Sequence, residues 1–319
     1  MSNESTIKDN SAKITSAEGV GNLIKLPIDA EILPAHDDKI FKSIMTHPDT
    51  KPALMDLVSA CIGRVVTEIQ IHNNELPITD IDEKSERFDV NCTIDDGTQV
   101  EVEMQSSRMV ETKGSHSNFF NRSIYYLADL HSSQKSKGVN FMDMAATYQI
   151  TFSMYTVLPH RTDYITKSNM RTEDGEIISS QLNMIVVELS KLEDILKKPV
   201  DEMSSMEMWS VFLGHADNPK YRALINDMIE KKEVLSMASA VLTTISKDED
   251  EKAKFRARKK FEMDMTSNMI TAERIGVEEG RRIERAEVAL KLLRRNRPIE
   301  EIVEDTGLTR QEIEGLRNS

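Results

Sequence analysis

The chain has 319 residues, 39% hydrophobic and 30% charged, with a formal net charge of −13. That is a globular composition with enough apolar residues for a core, and its negative charge argues against a generic nucleic-acid binder. No run approaches the roughly 18 consecutive apolar residues of a helical membrane span, which excludes that class.

The charge is uneven. Residues 251–297 hold fourteen Lys/Arg against eight Asp/Glu, whereas residues 80–111 hold ten Asp/Glu against three Lys/Arg. A basic segment beside an acidic body suits a protein that grips phosphates in one place and cations in another, but also a solvated charged helix. The opening MSNESTIKDN is polar and lacks a basic-then-apolar leader pattern, so residues 1–30 read as a mobile tail of a cytoplasmic protein. Cys61 and Cys92 sit among apolar neighbours and read as reduced core thiols. The seven histidines show no metal-ligand spacing with them, which leaves zinc without a site.

In chain order, Ile40, Phe41, Ile44 and Met45 fall at helical spacing, and Pro48 and Pro52 interrupt and restart that pattern. VVTEIQIHN alternates like a strand. NFFNRSIYYLADLHSSQ reads as a helix. TYQITFSMYTVL and NMIVVELSKL read as two further strands, the second nearly all apolar and therefore buried. From Glu193 to Asn296 the pattern is almost wholly helical. Four or five strands of mixed direction flanked by helices predict an α/β layered domain over residues 31–195. A helical region with a charged connector follows over 196–280, then a helical tail over 281–319.

The stretch ERFDVNCTIDDGTQVEVEMQ, residues 86–105, predicts a hairpin. Phe88, Val90, Cys92 and Ile94 alternate with Asp89, Asn91 and Thr93. Val100, Val102 and Met104 alternate with Gln99, Glu101, Glu103 and Gln105. A three-residue loop, Asp95 to Gly97, with Gly97 left-handed, sets Ile94 against Thr98 and Val90 against Val102. Both apolar rows then share one face. The same register sets Asp89 across from Glu103, with Cβ atoms about 5 Å apart. Like charges so placed must be solvated, share a proton or share a divalent cation. With Gln105 two residues on, such a pair forms a hard oxygen site suited to Mg²⁺ or Mn²⁺. An exposed acidic face of an amphipathic hairpin has the same pattern.

The ordered set of motifs resembles the PD-(D/E)XK nuclease family transposases, related to the recombination-promoting nucleases. DDKIFKSI is similar to that family's Asp-x-x-Phe-Lys, through Asp38, Phe41 and Lys42. FDV and DDGTQVEVEMQ resemble its Phe-Asp-Val, Gly and Glu-Met-Gln core, with Asp89, Glu103 and Gln105 at the Asp, Glu and Lys positions of the wider superfamily. NRSIYYLADL resembles its Arg-x-x-Tyr-Tyr helix, through Arg122, Tyr125 and Tyr126. VVELSKL resembles its Glu-Leu-x-Lys strand, through Glu188 and Lys191. The resemblance spans residues 31–195. It implies a restriction-endonuclease-like core, a mixed central sheet flanked by helices, with a helical C-terminal region added. It also implies metal-dependent cleavage of DNA, with Asp38, Asp89 and Glu103 as ligands of Mg²⁺ or Mn²⁺. Gln105 departs from the Lys of the wider superfamily pattern and cannot carry its charge, although Gln at this place is common in the transposase-like branch. Arg122 is a candidate phosphate contact or a helix-surface residue, Tyr125 and Tyr126 read as core, and Glu188 as an anchor of a strand end.

In the tail, Ala286, Ala289, Leu290 and Leu293 form a stripe, Pro298 opens a second helix, and Thr309 with Glu312 can cap a third. The result resembles a helix-turn-helix, or equally a dimerising hairpin. Arg281, Arg282, Arg294 and Arg295 are its candidate DNA-backbone contacts. The expected function is a Mg²⁺-dependent deoxyribonuclease of the transposase or recombination-promoting type. Its expected partners are DNA, no membrane, and a second copy of the chain through the C-terminal helices. The alternatives are a decayed nuclease fold that binds DNA or serves assembly, and a plain interaction module.

Overall fold

The computed structural model describes residues 23–72, 90–106, 116–134 and 140–317. The chain divides into two compact units, one of residues up to 106 together with 123–246, the other of 107–122 together with 247–319.

In the first unit, helix α1 (Asp38–Met45) starts where the Asp37 side chain accepts the Ile40 N–H. Its buried residues Ile40, Phe41, Ile44 and Met45 are those predicted by spacing. Helix α2 (Lys51–Ile62) has Pro52 in its first turn and ends at Gly63, which is left-handed at φ 84°. Strands β1 (Ile69–Ile71), β2 (Val90–Ile94) and β3 (Gln99–Gln105) follow. Helix α3 (His116–Ser133), of which residues 123–133 belong to this unit, leads to β4 (Thr147–Ser153), β5 (Ile165–Arg171) and β6 (Ile177–Glu188). Among the described residues these six strands form one mixed sheet in the order β1-β2-β3-β4-β6-β5. Strands β3, β4 and β6 run parallel, and the other pairs are antiparallel.

The β2–β3 hairpin has the predicted register. Val90 faces Val102, the Ile94 N–H donates to the Thr98 carbonyl at 3.0 Å, and Gly97 is left-handed at φ 82°. The turn acids are structural: Arg64 pairs with Asp95 at 2.9 Å and Asp96 at 2.6 Å, and Thr67 donates its N–H and hydroxyl to Asp95. One sheet face is apolar, with Val100, Val102, Met104, Ile150 and Phe152 buried. Helix α1 lies on it, with the Phe41 ring 6.3 Å from that of Phe152. On the opposite face, His131 of α3 bonds the Thr147 hydroxyl at 2.9 Å, and Gln134 brackets Ala145 with two hydrogen bonds.

Three features differ from the sequence reading. Among the described residues the sheet has six strands, because β5 pairs along β6 as an edge hairpin around Gly175. Residues 196–246 belong with the sheet: helices α4 (Ser205–His215), α5 (Arg222–Lys231) and α6 (Glu233–Lys247) complete the first unit's core. Trp209 is wholly buried and donates to Asp56 at 2.6 Å, and Lys232 donates to the same carboxylate at 2.8 Å. Part of the stretch read as a tail is pinned. Leu26 is buried and exchanges two hydrogen bonds with Asn226, and the Ile24 N–H donates to Ser236. Both cysteines are buried and free, as expected.

The second unit contains α7 (Glu249–Arg294), α8 (Ile299–Thr306) and α9 (Arg310–Arg317). Asp248 caps α7 by accepting from Asp250 and Glu251, and Lys–Glu pairs three residues apart line its first turns. Ala289, Ile302, Leu308 and Ile313 form a small core where the three helices meet. Gly307 ends α8 in the left-handed conformation, and the Thr309 N–H and hydroxyl both donate to Glu312, as the capping pattern predicted.

Candidate active site on the polar sheet face

The β-strand period of two sends Asn91 and Thr93, Glu101, Glu103 and Gln105, and Gln149, Thr151 and Ser153 to the face opposite Phe41. Parallel register places Glu101 beside Gln149, Glu103 beside Thr151 and Gln105 beside Ser153. Ser153 in turn pairs with Glu188. This polar face is not a solvated surface. Glu101 is 1% exposed, and Thr147, Gln149, Thr151 and Ser153 are wholly buried. Burying polar groups costs stability unless they are bonded.

At its carboxyl end the row becomes a connected network. The Gln105 amide nitrogen donates to Glu103 Oε1 at 2.6 Å. Its amide oxygen accepts from the Tyr155 hydroxyl at 3.0 Å. Tyr155 is held from both sides of its backbone, because its N–H donates to the Ser153 hydroxyl at 3.2 Å, which donates to the Tyr155 carbonyl at 2.8 Å. The following residues are clamped by Glu188. Its buried carboxylate accepts from the N–H groups of Val157 and Leu158 at 2.7 and 2.9 Å, and from Lys191 Nζ at 2.6 Å. Lys191 also donates to the Leu158 carbonyl at 2.8 Å. Glu188 thus anchors a strand end, as its position before an apolar Leu suggested. The carboxyl ends of parallel strands are where open α/β sheets commonly bind ligands.

The other predicted residues lie as follows. Asp38 is exposed in the first turn of α1. Asp89 lies outside the described residues, so the expected Asp89–Glu103 pair is not on view as a whole. Among the described residues no three His, Cys, Asp or Glu side chains are grouped for a metal ion. Arg122, in α3, is half-buried and belongs to the second unit. The Tyr125 and Tyr126 rings meet at 5.7 Å, but Tyr125 is 58% exposed and is not a core residue. An amphipathic helix can place adjacent aromatics on its core side and its solvent side. Arg281, Arg282, Arg294 and Arg295 are all exposed, and Arg282 pairs with Glu279 at 3.3 Å. On α9, Arg310 is engaged by Glu314 at 3.0 Å and Glu300 at 3.1 Å.

A family model described as PD-(D/E)XK nuclease family transposase matches residues 35–272 of the chain. The chain belongs to this family. Searches of curated proteins and of solved structures returned no match. The family match extends past the sheet through α4–α6 and into α7. This agrees with the packing of residues 196–246 into the first unit. The mixed six-stranded sheet flanked by helices is consistent with the α/β nuclease-like fold of PD-(D/E)XK proteins. Sequence reasoning missed Tyr155 in this PD-(D/E)XK protein. It lies fifty residues from Gln105, just beyond a strand, where no periodicity marks it.

Proposed function

We propose that this PD-(D/E)XK family member is a divalent-cation-dependent DNA endonuclease of the transposase or recombination-promoting type. The observation that carries the reading is Glu103, on a largely buried polar sheet face, bonded to Gln105 in a chain whose family match covers the whole sheet domain. In this reading Glu103 and Asp89 hold the cation, and Asp38, carried by the helix that packs on the sheet's apolar face, is the proposed third carboxylate. The donors are all hard oxygens, a set that fits Mg²⁺ or Mn²⁺ and not a thiolate-seeking metal. A bound cation of this kind polarises a phosphoryl oxygen and lowers the pKa of a bound water. The chain's own contribution is to hold the carboxylates and to place an amide N–H donor at position 105.

DNA is the proposed substrate. Arg122 and the exposed arginines 281, 282, 294 and 295 are the proposed backbone contacts, since phosphate contact needs charge and not base-edge geometry. Self-association is assigned to α7, whose Phe261, Met263, Ile275 and Ile283 are exposed. Two buried free thiols fit a reducing compartment such as the cytoplasm. No helix among the described residues is long and apolar enough to cross a membrane.

Purified protein with Mg²⁺ or Mn²⁺ should nick or linearise supercoiled plasmid, and Asp89→Ala should abolish this while circular dichroism stays unchanged. Cleavage that survives Asp89→Ala sinks the assignment of that site. One residue favours a second reading. Gln105 stands where the wider superfamily pattern has Lys, and a decayed nuclease that only binds DNA would retain DNA in a salt-sensitive manner without cation-dependent cleavage.

A further inference from the structure

A glutamine amide is ambiguous as a replacement for lysine. Rotation about its last torsion by half a turn exchanges a donor for an acceptor. While Glu103 is an anionic acceptor, the nitrogen-inward orientation is favoured by that carboxylate alone. Once a divalent cation neutralises the carboxylate the preference inverts, because a hard cation attracts the amide oxygen. A second group must then hold the oxygen away.

Tyr155 meets that need. Its hydroxyl donates to Gln105 Oε1 at 3.0 Å while Gln105 Nε2 donates to Glu103 Oε1 at 2.6 Å, so both ends of the amide are engaged. The tyrosine is itself fixed in place. Ser153 bonds its N–H and its carbonyl. The Met154 N–H donates to the Gln105 carbonyl at 3.0 Å, which ties the start of the loop to β3. Two residues on, the buried Glu188 holds Val157 and Leu158. A group supported on both sides by a rigid strand end can act as a stop for a neighbouring rotor.

We propose that Tyr155 is a positioning residue that keeps the Gln105 amide nitrogen turned toward Glu103, so that this position stays a neutral N–H donor and not a cation ligand. The proposal rests on the nuclease reading of Glu103 and Gln105. It assigns Tyr155 an effect that general loosening of the site does not produce. Freed of the hydroxyl, the amide oxygen turns inward and joins the cation's ligands. Cation affinity then rises while cleavage falls.

The test compares wild type, Tyr155→Phe, Gln105→Lys and the double variant. Three readouts are taken: the Gln105 side-chain amide resonances without metal, Mn²⁺ affinity by calorimetry, and plasmid cleavage. Tyr155→Phe keeps the ring and should fold. It should shift the Gln105 amide pair, tighten Mn²⁺ about threefold and slow cleavage about three- to tenfold, the worth of one hydrogen bond. In the Gln105→Lys background, which has no amide to turn, the same change should alter neither affinity nor rate. Parallel losses of affinity and rate, unchanged amide resonances, or an equal effect in the Gln105→Lys background each overturn the proposal. Wild type that neither binds Mn²⁺ nor cleaves DNA overturns the nuclease reading instead, and the amide resonances still decide whether Tyr155 orients Gln105.

Discussion

Replacing Glu188 by alanine removes the acceptor of three donors at once. The carboxylate is wholly buried, Lys191 is 12% exposed, and the N–H groups of Val157 and Leu158 end on the same side chain. Breaking a buried ion pair from one side costs about 3–5 kcal/mol, because the remaining charge is left without its counter-ion. The Leu158 carbonyl still accepts from Lys191 and offsets part of this, while two orphaned N–H groups add about 1–3 kcal/mol each if they cannot reach water. These terms overlap, and a net loss of about 4 kcal/mol is the working figure. For a unit of this size each kcal/mol lowers Tm by about 2–4 °C, so the melting point should fall by roughly 10 °C. Glu188→Gln keeps an acceptor for the backbone but loses the charge, and should fall between wild type and Glu188→Ala. Urea unfolding followed by circular dichroism measures the series. A loss below about 1 kcal/mol for Glu188→Ala, or equal losses for Ala and Gln, would refute the clamp.

Other consequences can be measured separately. The Thr67 N–H, and after it Arg64, pull the Asp95 carboxyl down to about 2. Its folded value lies below the unfolded one, so its stabilisation is full above about pH 4 and is lost as pH falls toward 2. Asp95→Asn should therefore flatten the acid limb of the stability profile in that window, and an unchanged limb would contradict the assignment. Changing Arg281, Arg282, Arg294 and Arg295 together to Gln should weaken DNA binding without regard to sequence. Every phosphate that these arginines neutralise in the wild type should account for about 0.9 of the slope of log affinity against log salt, so the variant's slope should be shallower. An unaltered slope excludes these arginines from the interface.

The hairpin was legible because two independent signals agreed. Alternation fixed which residues share a face, and Asp-Asp-Gly fixed where the chain turns, so the Val90–Val102 register followed. The tail was legible for a similar reason, since Pro298, Gly307 and Thr309 each carry a conformational preference that depends little on tertiary contacts. Strand β5 was not legible. Its residues Ile165–Arg171 are mostly exposed and polar, and pairing with β6 makes the strand, not its own pattern. The packing of residues 196–246 into the first unit was not legible, because helical spacing marks a buried stripe without saying against what. Asp56 with Trp209, and Leu26 with Asn226, are partners more than 150 residues apart. In the candidate site, alternation gave the polar row but not its burial, and Thr151 and Gln149 looked like ordinary strand residues. Tyr155 depends on a loop held by Glu188, an interaction across 31 residues that no local pattern encodes.

The central claim is that Glu103 belongs to a cation site. Calorimetric titration of Mn²⁺ into wild type and Glu103→Ala tests it without knowledge of the DNA target. Saturable binding by wild type that weakens at least about tenfold in the variant is the predicted result. Identical isotherms from two folded proteins would contradict it.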